Sequence, residues 1–217
     1  TSRCPFKKMR VIENGFDKVA AMKKTYQKLK LDCLAVLGGN GSLKTAHLLS
    51  QEGLNVIGLP KTIDNDTWGT DYTFGFQSAV DIASRYLDEI QTTAYSHSRV
   101  FIVEIMGHKV GHICLSAGIA AGADIILLPE IPYDIEVIAQ DIQKKVQAGQ
   151  KSILIACAEG ALSKEESMLS KKQYKLKVAS REGHSVVYEI AQKLSHYIDK
   201  EIRVSLAGHA QRGGSPC

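Results

Sequence analysis

The sequence has few cysteines, and their spacing gives no sign of a disulfide framework or a zinc site. None of the five forms a CxxC pair, and three lie in apolar stretches that favour small buried side chains, namely Cys33, Cys114 and Cys157. Long apolar runs are also missing, because the longest, AGADIILLP at 121–129, is too short to cross a bilayer. We therefore expect a reduced, cytoplasmic setting and no membrane partner.

A strong excess of one charge is absent as well. Lys and Arg number 27 against 23 Asp and Glu, so the net charge is only +4, and it is spread along the chain. This mild excess suits a phosphorylated ligand better than a nucleic acid, and we predict no nucleic acid partner. The strongest basic run, KKQYKLK at 171–177, is interpreted as a solvated surface segment.

What the sequence does contain is an alternation of short apolar runs and longer amphipathic stretches. The apolar runs predict strands at 33–39, 55–60, 99–106, 123–130, 152–160 and 203–209. The amphipathic stretches predict helices near 11–30, 43–52, 74–95, 110–121, 134–148 and 182–197. Because the strands are mostly apolar on both faces and alternate with helices, we expect a doubly wound α/β protein with buried parallel sheets.

Polar and glycine-rich segments follow five of the predicted strands, at the end of the sheet where such folds bind ligands. They are GGNGS at 38–42, PKTIDND at 60–66, MGHKVGH at 106–112, EG at 159–160 and GHAQRGG at 208–214. Ordinary turns do not explain this concentration of polar groups at five strand ends. We therefore expect a ligand site at this edge.

Each segment alone allows a structural interpretation beside the functional one. GGNGS leads into a helix that we expect to start near Ser42, and such turns attract phosphate but are also common. Asp64 could accept a proton from an alcohol and Asp66 could hold a metal, whereas a plain Asp- and Asn-rich turn is the alternative. His209 lies close to Arg212, whose guanidinium matches phosphate geometry.

Two pairs of basic residues each allow two interpretations. His108 and His112 have the i, i+4 spacing of a zinc pair, but no third ligand is evident, and a structural role is favoured. Arg99 and Arg203 each begin a strand, so they project from the end of the sheet opposite to the five polar segments. They are either surface charges or contributions to a neighbouring subunit's site.

In their order and spacing, the segments together resemble the phosphofructokinase family over nearly the whole chain. The resemblance is carried by GGNGS, PKTIDND, GTDYTFGF, SHSRVFIVEIMG, LLPEIPY, AEG and GHAQRGGSP. It implies two Rossmann-like doubly wound domains with mostly parallel sheets and an active site in the interdomain cleft. It also implies a homo-oligomer with shared active sites that transfers a phosphoryl group to the 1-hydroxyl of fructose 6-phosphate.

The resemblance further implies roles for individual residues. Asp64 would be the catalytic base, with Thr62 and Asp66 as companions. Contacts with the sugar phosphate are implied for Met106, Gly107, His108, Glu159, His209 and Arg212, and for Arg99 and Arg203 from a neighbouring subunit. Contacts with the phosphoryl donor are implied for Arg3, Cys4, Gly39, Asn40, Gly41, Ser42 and Lys61. The candidate ligands for magnesium are Asn40 and Asp66.

Several positions depart from the family pattern. Asn40 stands where many relatives have an aspartate associated with magnesium, so the ion would rely more on donor phosphates and other carboxylates. His108 replaces the arginine of the common MGR form, and the 161–182 segment is longer than in short bacterial relatives. Gly41 leaves room for ATP, whereas Lys61 is typical of pyrophosphate users. Because a clash discriminates more strongly than an added attraction, we favour ATP with magnesium over pyrophosphate.

The family analogy also divides the chain. Residues 1–75 would bind the donor, 76–210 would bind the sugar phosphate and 211–217 would begin the return to the donor domain, all within the central portion of a longer polypeptide. Three neutral residues at effector positions, Gln91, Ala148 and Gln150, predict little response to nucleotide or phosphoenolpyruvate. The alternatives are a non-catalytic sugar-phosphate or nucleotide sensor, against which the TIDND base argues, and a structural subunit of a hetero-oligomeric kinase.

Overall fold

The computed structural model describes residues 6–181 and 185–216, which divide into two units. The first unit holds the described residues up to Thr62 together with Asp66–Phe74. The second holds Ile63–Asn65 and the described residues from Gly75 onward. The TIDND turn is therefore divided, with Thr62 and Asp66 in the first unit and Asp64 in the second.

The first unit is built on a parallel strand pair. Strands β1 (Leu34–Gly38) and β2 (Val56–Pro60) pair along their whole length, and the helices are α1 (Lys18–Lys28) and α2 (Asn40–Gln51). Side chains from both helices and from the preceding turns bury a small apolar core, formed by Met9, Val19, Leu48, Leu49 and Leu54. The βαβ order of this unit agrees with the predicted parallel arrangement.

The second unit contains a four-stranded, fully parallel sheet in the order β4-β5-β3-β6. Its strands are β3 (Val100–Ile105), β4 (Ile125–Leu127), β5 (Ile153–Ala158) and β6 (Ile202–Leu206). All residues of β5 are buried, as expected for the middle of a sheet that is apolar on both faces.

Helices cover both faces of this sheet. Their bounds are α3 (Phe76–His97), α4 (His112–Ala120), α5 (Ile135–Gln147), α6 (Lys164–Ser167), α7 (Lys171–Ser180) and α8 (Val186–Leu194). Alternate residues of β3 enter two apolar clusters, one shared with α3 and α4 and the other with α5 and α8. The predicted α/β fold with parallel sheets is confirmed, because each face of the sheet is buried by its own pair of helices.

Two helices begin at other residues than the sequence predicts. The first helix was expected from residue 11 but begins at Lys18, because the Asp17 side chain accepts hydrogen bonds from the backbone N–H groups of Val19 and Ala20. The second was expected near Ser42 but begins at Asn40, directly after Gly39. The strand predicted at 123–130 is limited to three residues.

The 161–182 segment contains two helices that the sequence analysis did not assign, α6 and α7. Each begins with a capping box, Ser163 with Glu166 and Ser170 with Gln173. The basic run 171–177 is thus the greater part of α7, and none of its residues is buried, as expected for a solvated surface segment. At the end of this helix Arg181, with 5% of its side chain exposed, donates to the fully buried carboxylate of Glu166.

Candidate active site

The glycine-rich turn after β1 presents the start of α2 without a side-chain cap. A Cβ atom at Gly38 would lie 2.4 Å from the Ser42 hydroxyl oxygen, so this glycine is what allows the helix to follow the strand so closely. Gly39 is the N-cap and supplies no side chain to the first-turn N–H groups. At Gly41, by contrast, a Cβ would meet no heavy atom within 4 Å. The turn therefore offers backbone donors and the positive end of a helix dipole to an anion.

The polar segment after β2 is anchored to this turn within the first unit. The Lys61 backbone N–H donates to the Gly38 carbonyl at 2.9 Å, and the Thr73 hydroxyl donates to the Thr62 carbonyl at 2.7 Å. The Asn40 amide nitrogen donates to the Asp66 carboxylate at 3.0 Å. The two candidate magnesium ligands are thus in direct contact, although they come from different strand ends.

These two side chains fit a hard cation only in part. An amide oxygen and a carboxylate oxygen are ligands of the type that magnesium accepts, but the ion prefers six. The described part of the chain contains no group of three or more His, Cys, Asp or Glu residues able to hold a metal. Donor phosphates and water would have to complete the coordination of an ion held by Asn40 and Asp66.

Asp64 lies in the second unit between two anchored residues. Ile63 packs against the apolar cluster beneath α3 and α4. Asn65 has a positive φ of 53°, and its carbonyl accepts a hydrogen bond from His112 Nδ1 at 3.0 Å. This contact ties His112, at the start of α4, to the acidic turn. Together with the packing of Ile63, it fixes the backbone on both sides of Asp64.

The turn after β3 is held by two distant side chains of the second unit. Glu159 Oε1 accepts hydrogen bonds from the backbone N–H groups of Gly107, at 3.2 Å, and of His108. The Met106 N–H donates to Gln211 Oε1 at 3.2 Å, and Gln211 is 1% exposed. Four predicted sugar-phosphate residues, Met106, Gly107, His108 and Glu159, are therefore brought together.

Two glycines make this arrangement possible. Gly107 has a φ of 157°, and a Cβ there would lie 2.5 Å from the Val110 carbonyl oxygen. A Cβ at Gly160 would lie 2.4 Å from the His108 carbonyl oxygen. Both conflicts involve backbone atoms, which cannot move away as a flexible side chain could. Glycine is therefore required at both positions, where the turn after β3 lies against the residues that follow β5.

His209 and Arg212 share one short helix. A 3₁₀ helix spans Gly208–Arg212 directly after β6, and residues three apart lie on the same face of such a helix. Both side chains belong to exposed residues, whereas Gln211 between them is buried as the anchor of the β3 turn. The 3₁₀ helix is thus held in place by Gln211, while its two basic residues are exposed to solvent.

The remaining predicted sugar-phosphate residues, Arg99 and Arg203, lie at the other end of the sheet. Arg99 directly precedes β3, and Arg203 is the second residue of β6, opposite Phe101. The structure therefore does not bring them to the polar segments that follow the strands of their own unit. Both arginines instead form ion pairs with the carboxylate of Glu201.

Three residues that the sequence analysis did not single out support these turns. Gln211 anchors Met106, as described above, and Glu130 Oε1 accepts a hydrogen bond from the Gly111 N–H at 2.9 Å, at the start of α4. Glu104, in β3, accepts a hydrogen bond from Ser185, the N-cap of α8. Burial raises the pKa of Glu104 above its ordinary value, although the hydrogen bond from Ser185 opposes the rise.

Two residues predicted to contact the phosphoryl donor, Arg3 and Cys4, lie outside the described residues. The others are all in the first unit, where Gly39, Asn40, Gly41 and Ser42 form the start of α2 and Lys61 follows β2. Predicted sugar-phosphate residues are all in the second unit.

The chain is similar to known proteins along its whole length. The sequence model of the family described as Phosphofructokinase matches residues 1–217. An ATP-dependent 6-phosphofructokinase of Spirochaeta thermophila is 53% identical over 204 residues, which cover 94% of this chain and 56% of that protein. A second, from Propionibacterium freudenreichii, is 42% identical over 236 residues, covering 100% of this chain and 63% of that protein.

A solved structure shows the same architecture. The phosphofructokinase of Saccharomyces cerevisiae superimposes with a TM-score of 0.82 at 29% sequence identity, covering 100% of this chain and 30% of that chain. The present chain thus spans little more than half the length of the curated relatives that it matches. Because the family model matches residues 1–217 and a curated relative is 53% identical over 94% of the chain, the chain belongs to the phosphofructokinase family.

Proposed function

We propose that the protein of which this chain is part transfers a phosphoryl group from ATP to the 1-hydroxyl of fructose 6-phosphate, giving fructose 1,6-bisphosphate. The observation that carries the proposal is the 53% identity to an ATP-dependent 6-phosphofructokinase over 94% of the chain. The geometry supports it, because an acidic turn, an uncapped helix start and a rigid strand-end turn are all present in the chain.

Asp64 is assigned as the base that accepts the proton of the sugar's 1-hydroxyl. A carboxylate is suited to this role when its position is fixed, and the neighbours Ile63 and Asn65 are both anchored. Phosphoryl transfer asks little covalent chemistry of the protein, so catalysis depends on positioning and on stabilising charge. Thr62, whose carbonyl is held by Thr73, is assigned as a companion of the base.

The phosphoryl donor is assigned to the first unit. Phosphates would accept hydrogen bonds from the first-turn N–H groups of α2, which no side chain caps. The space beside Gly41 supports ATP, as do the relatives named ATP-dependent. Lys61 could equally stabilise pyrophosphate, which is therefore the second candidate donor.

Magnesium would be held by Asp66 and by the amide oxygen of Asn40, with donor phosphates as further ligands. When bound, the ion would offset the negative charge of the transferring phosphoryl group. The contribution of the chain is orientation, because the Asn40 amide nitrogen fixes one oxygen of Asp66 and leaves the carboxylate's charge in place.

The sugar phosphate is assigned to the second unit. Met106, Gly107 and His108 would contact the sugar from a turn that Glu159 holds, and the outward-pointing His209 and Arg212 would meet its charged groups. Arg99 and Arg203 lie at the opposite end of the sheet, so we assign them to a neighbouring subunit's site and infer a homo-oligomer.

The setting is inferred to be cytoplasmic. The three described cysteines, Cys33, Cys114 and Cys157, are all free thiols, as a reducing compartment favours. Among the described residues, no helix is long and apolar enough to cross a membrane.

The proposal is tested by assaying the full-length protein for fructose 1,6-bisphosphate with ATP and, separately, with pyrophosphate. Turnover with ATP is expected, and binding of the sugar phosphate without turnover would favour the sensor. Shared sites are tested by mixing inactive Asp64→Asn subunits with inactive Arg203→Ala subunits. Some hybrid sites then contain both intact residues, so activity should return. No activity in hybrids shown to assemble would contradict the assignment of Arg203.

A further inference from the structure

One carboxylate holds both arginines at the start of the second unit's sheet. Arg99 donates from Nε to Glu201 Oε2, and Arg203 donates from Nη2 to Glu201 Oε1. Each carboxylate oxygen therefore receives one guanidinium. The hydrogen bond from Arg99, aided by the charge of Arg203, holds the pKa of Glu201 below its ordinary value. Glu201 is consequently ionised at neutral pH.

The backbone places Glu201 beside both arginines. The Glu201 carbonyl accepts a hydrogen bond from the Val100 N–H at 3.0 Å, next to Arg99 in the sequence. Arg203 stands two residues after Glu201, in a strand that pairs with β3. The pairing of β3 with β6 therefore holds the backbone of Glu201 beside that of Arg99 and two residues before Arg203.

We propose that Glu201 is a positioning residue, which holds Arg99 and Arg203 together as one receptor for the phosphate of the sugar substrate. This inference rests on the proposed function, in which these arginines serve a neighbouring subunit's site. Two free guanidinium groups would repel each other and sample many rotamers, whereas a shared carboxylate offsets the repulsion and restricts both.

The trio formed by Arg99, Arg203 and Glu201 retains the capacity to bind an anion. A guanidinium has five N–H donors, and each arginine gives one donor group to Glu201. The trio carries a net charge of +1, from two arginines and one carboxylate. The side chains of Arg99 and Arg203 are 26% and 53% exposed, so both reach solvent. Bidentate contacts with phosphate remain available to each.

Glu201 also opposes the phosphate, because both are negative. The orienting effect should prevail, since loss of the carboxylate releases two long side chains and removes only one charge that solvent already screens. The two effects predict opposite shifts in the KM for fructose 6-phosphate, so the sign of the shift decides between them.

The test uses the full-length protein with Glu201→Gln, Glu201→Asp and Arg203→Ala variants. For Glu201→Gln we expect the KM for fructose 6-phosphate to rise about tenfold while kcat stays within about twofold, because binding is affected and not the chemical step. Glu201→Asp keeps the charge but is one methylene shorter, so its KM should lie between those of the wild type and Glu201→Gln. Titration calorimetry with fructose 6-phosphate should give the same order of affinities without turnover.

Asp81→Asn is the matched control, because it removes an exposed carboxylate from another arginine of the same unit, Arg85. It should leave KM unchanged. Circular dichroism and gel filtration would establish that each variant is folded and assembled. An unchanged or lowered KM in Glu201→Gln, with a raised KM in Arg203→Ala, would overturn the positioning role alone. An unchanged KM in Arg203→Ala would overturn the arginine assignment of the proposed function, and the positioning role with it.

Discussion

Replacing Gly41 with aspartate tests how the start of α2 would select the phosphoryl donor. Gly41 is the second residue of the helix, and a Cβ there meets no heavy atom within 4 Å. An aspartate side chain is therefore accommodated by the protein itself. Any loss of activity would arise from the donor, and not from a disturbed fold.

The change should leave stability unchanged or improve it slightly. Aspartate has a helix propensity better than glycine by a few tenths of a kcal/mol, about 0.3. The first turn of α2 contains no acidic residue, and a negative charge there interacts favourably with the helix dipole by about 0.3–1 kcal/mol. The free energy of unfolding should thus rise by about 0.6–1.3 kcal/mol.

The effect on ATP binding should be unfavourable and larger than the effect on stability. A carboxylate about 4 Å from a phosphate charge is repelled by about 1 kcal/mol in water and by about 4 kcal/mol at the effective dielectric constant of a protein surface. These values correspond to a loss of affinity between about fivefold and 10³-fold. Gly41→Asn, which is nearly the same size but neutral, separates the charge from the bulk of the side chain.

The assay is steady-state kinetics of the full-length protein with ATP and with pyrophosphate, alongside thermal unfolding. We expect Gly41→Asp to lose ATP use while its melting temperature is maintained, and Gly41→Asn to lose less. ATP use that survives Gly41→Asp unchanged would refute the placement of ATP at this turn, as would a wild type that works only with pyrophosphate.

The remaining predictions concern the strand-end turns and the thiols. Glu159→Ala leaves two backbone N–H groups without their acceptor, so the KM for fructose 6-phosphate should rise at least tenfold in kinetic assays, with Glu159→Gln less affected. Gly160→Ala forces a Cβ against the carbonyl of His108, and calorimetry should show a loss of at least about 2 kcal/mol of stability. Burial raises the pKa of Cys114 to about 12, so its thiol stays protonated at pH 8. Mass spectrometry after iodoacetamide treatment should therefore find the partly exposed Cys33 modified well before Cys114; equal rates would contradict the buried placement.

The sheet of the second unit could be predicted from the sequence because its two central strands, β3 and β5, are buried on both faces. Runs such as that of β5 are apolar throughout, which is typical of parallel strands that helices cover on both sides. The predicted start of α1 was too early because apolar residues continue the helical pattern before Asp17, whereas the Asp17 side chain caps the helix and starts it at Lys18. The capping boxes of α6 and α7 are visible in the sequence, but the many lysines of α7 give it no clear apolar face that would predict a helix.

The supports of the site were harder to predict than its motif residues. Gln211 contacts Met106 across 105 positions of sequence, and nothing near either residue signals the pair. The Asn40 contact with Asp66 similarly joins two strand ends. Such partners are determined by how parallel strands bring their ends together, so they become evident only when the strand order is known.

The central claim is that Asp64 is the base of a phosphoryl transfer, and the kcat of Asp64→Asn in the full-length protein tests it most directly. Asparagine keeps the shape of the side chain but cannot accept the proton. We expect kcat for fructose 1,6-bisphosphate formation to fall by about 10²–10⁴-fold, with the affinity for fructose 6-phosphate little changed and the circular dichroism spectrum preserved. Near-normal turnover in a folded variant would contradict the assignment.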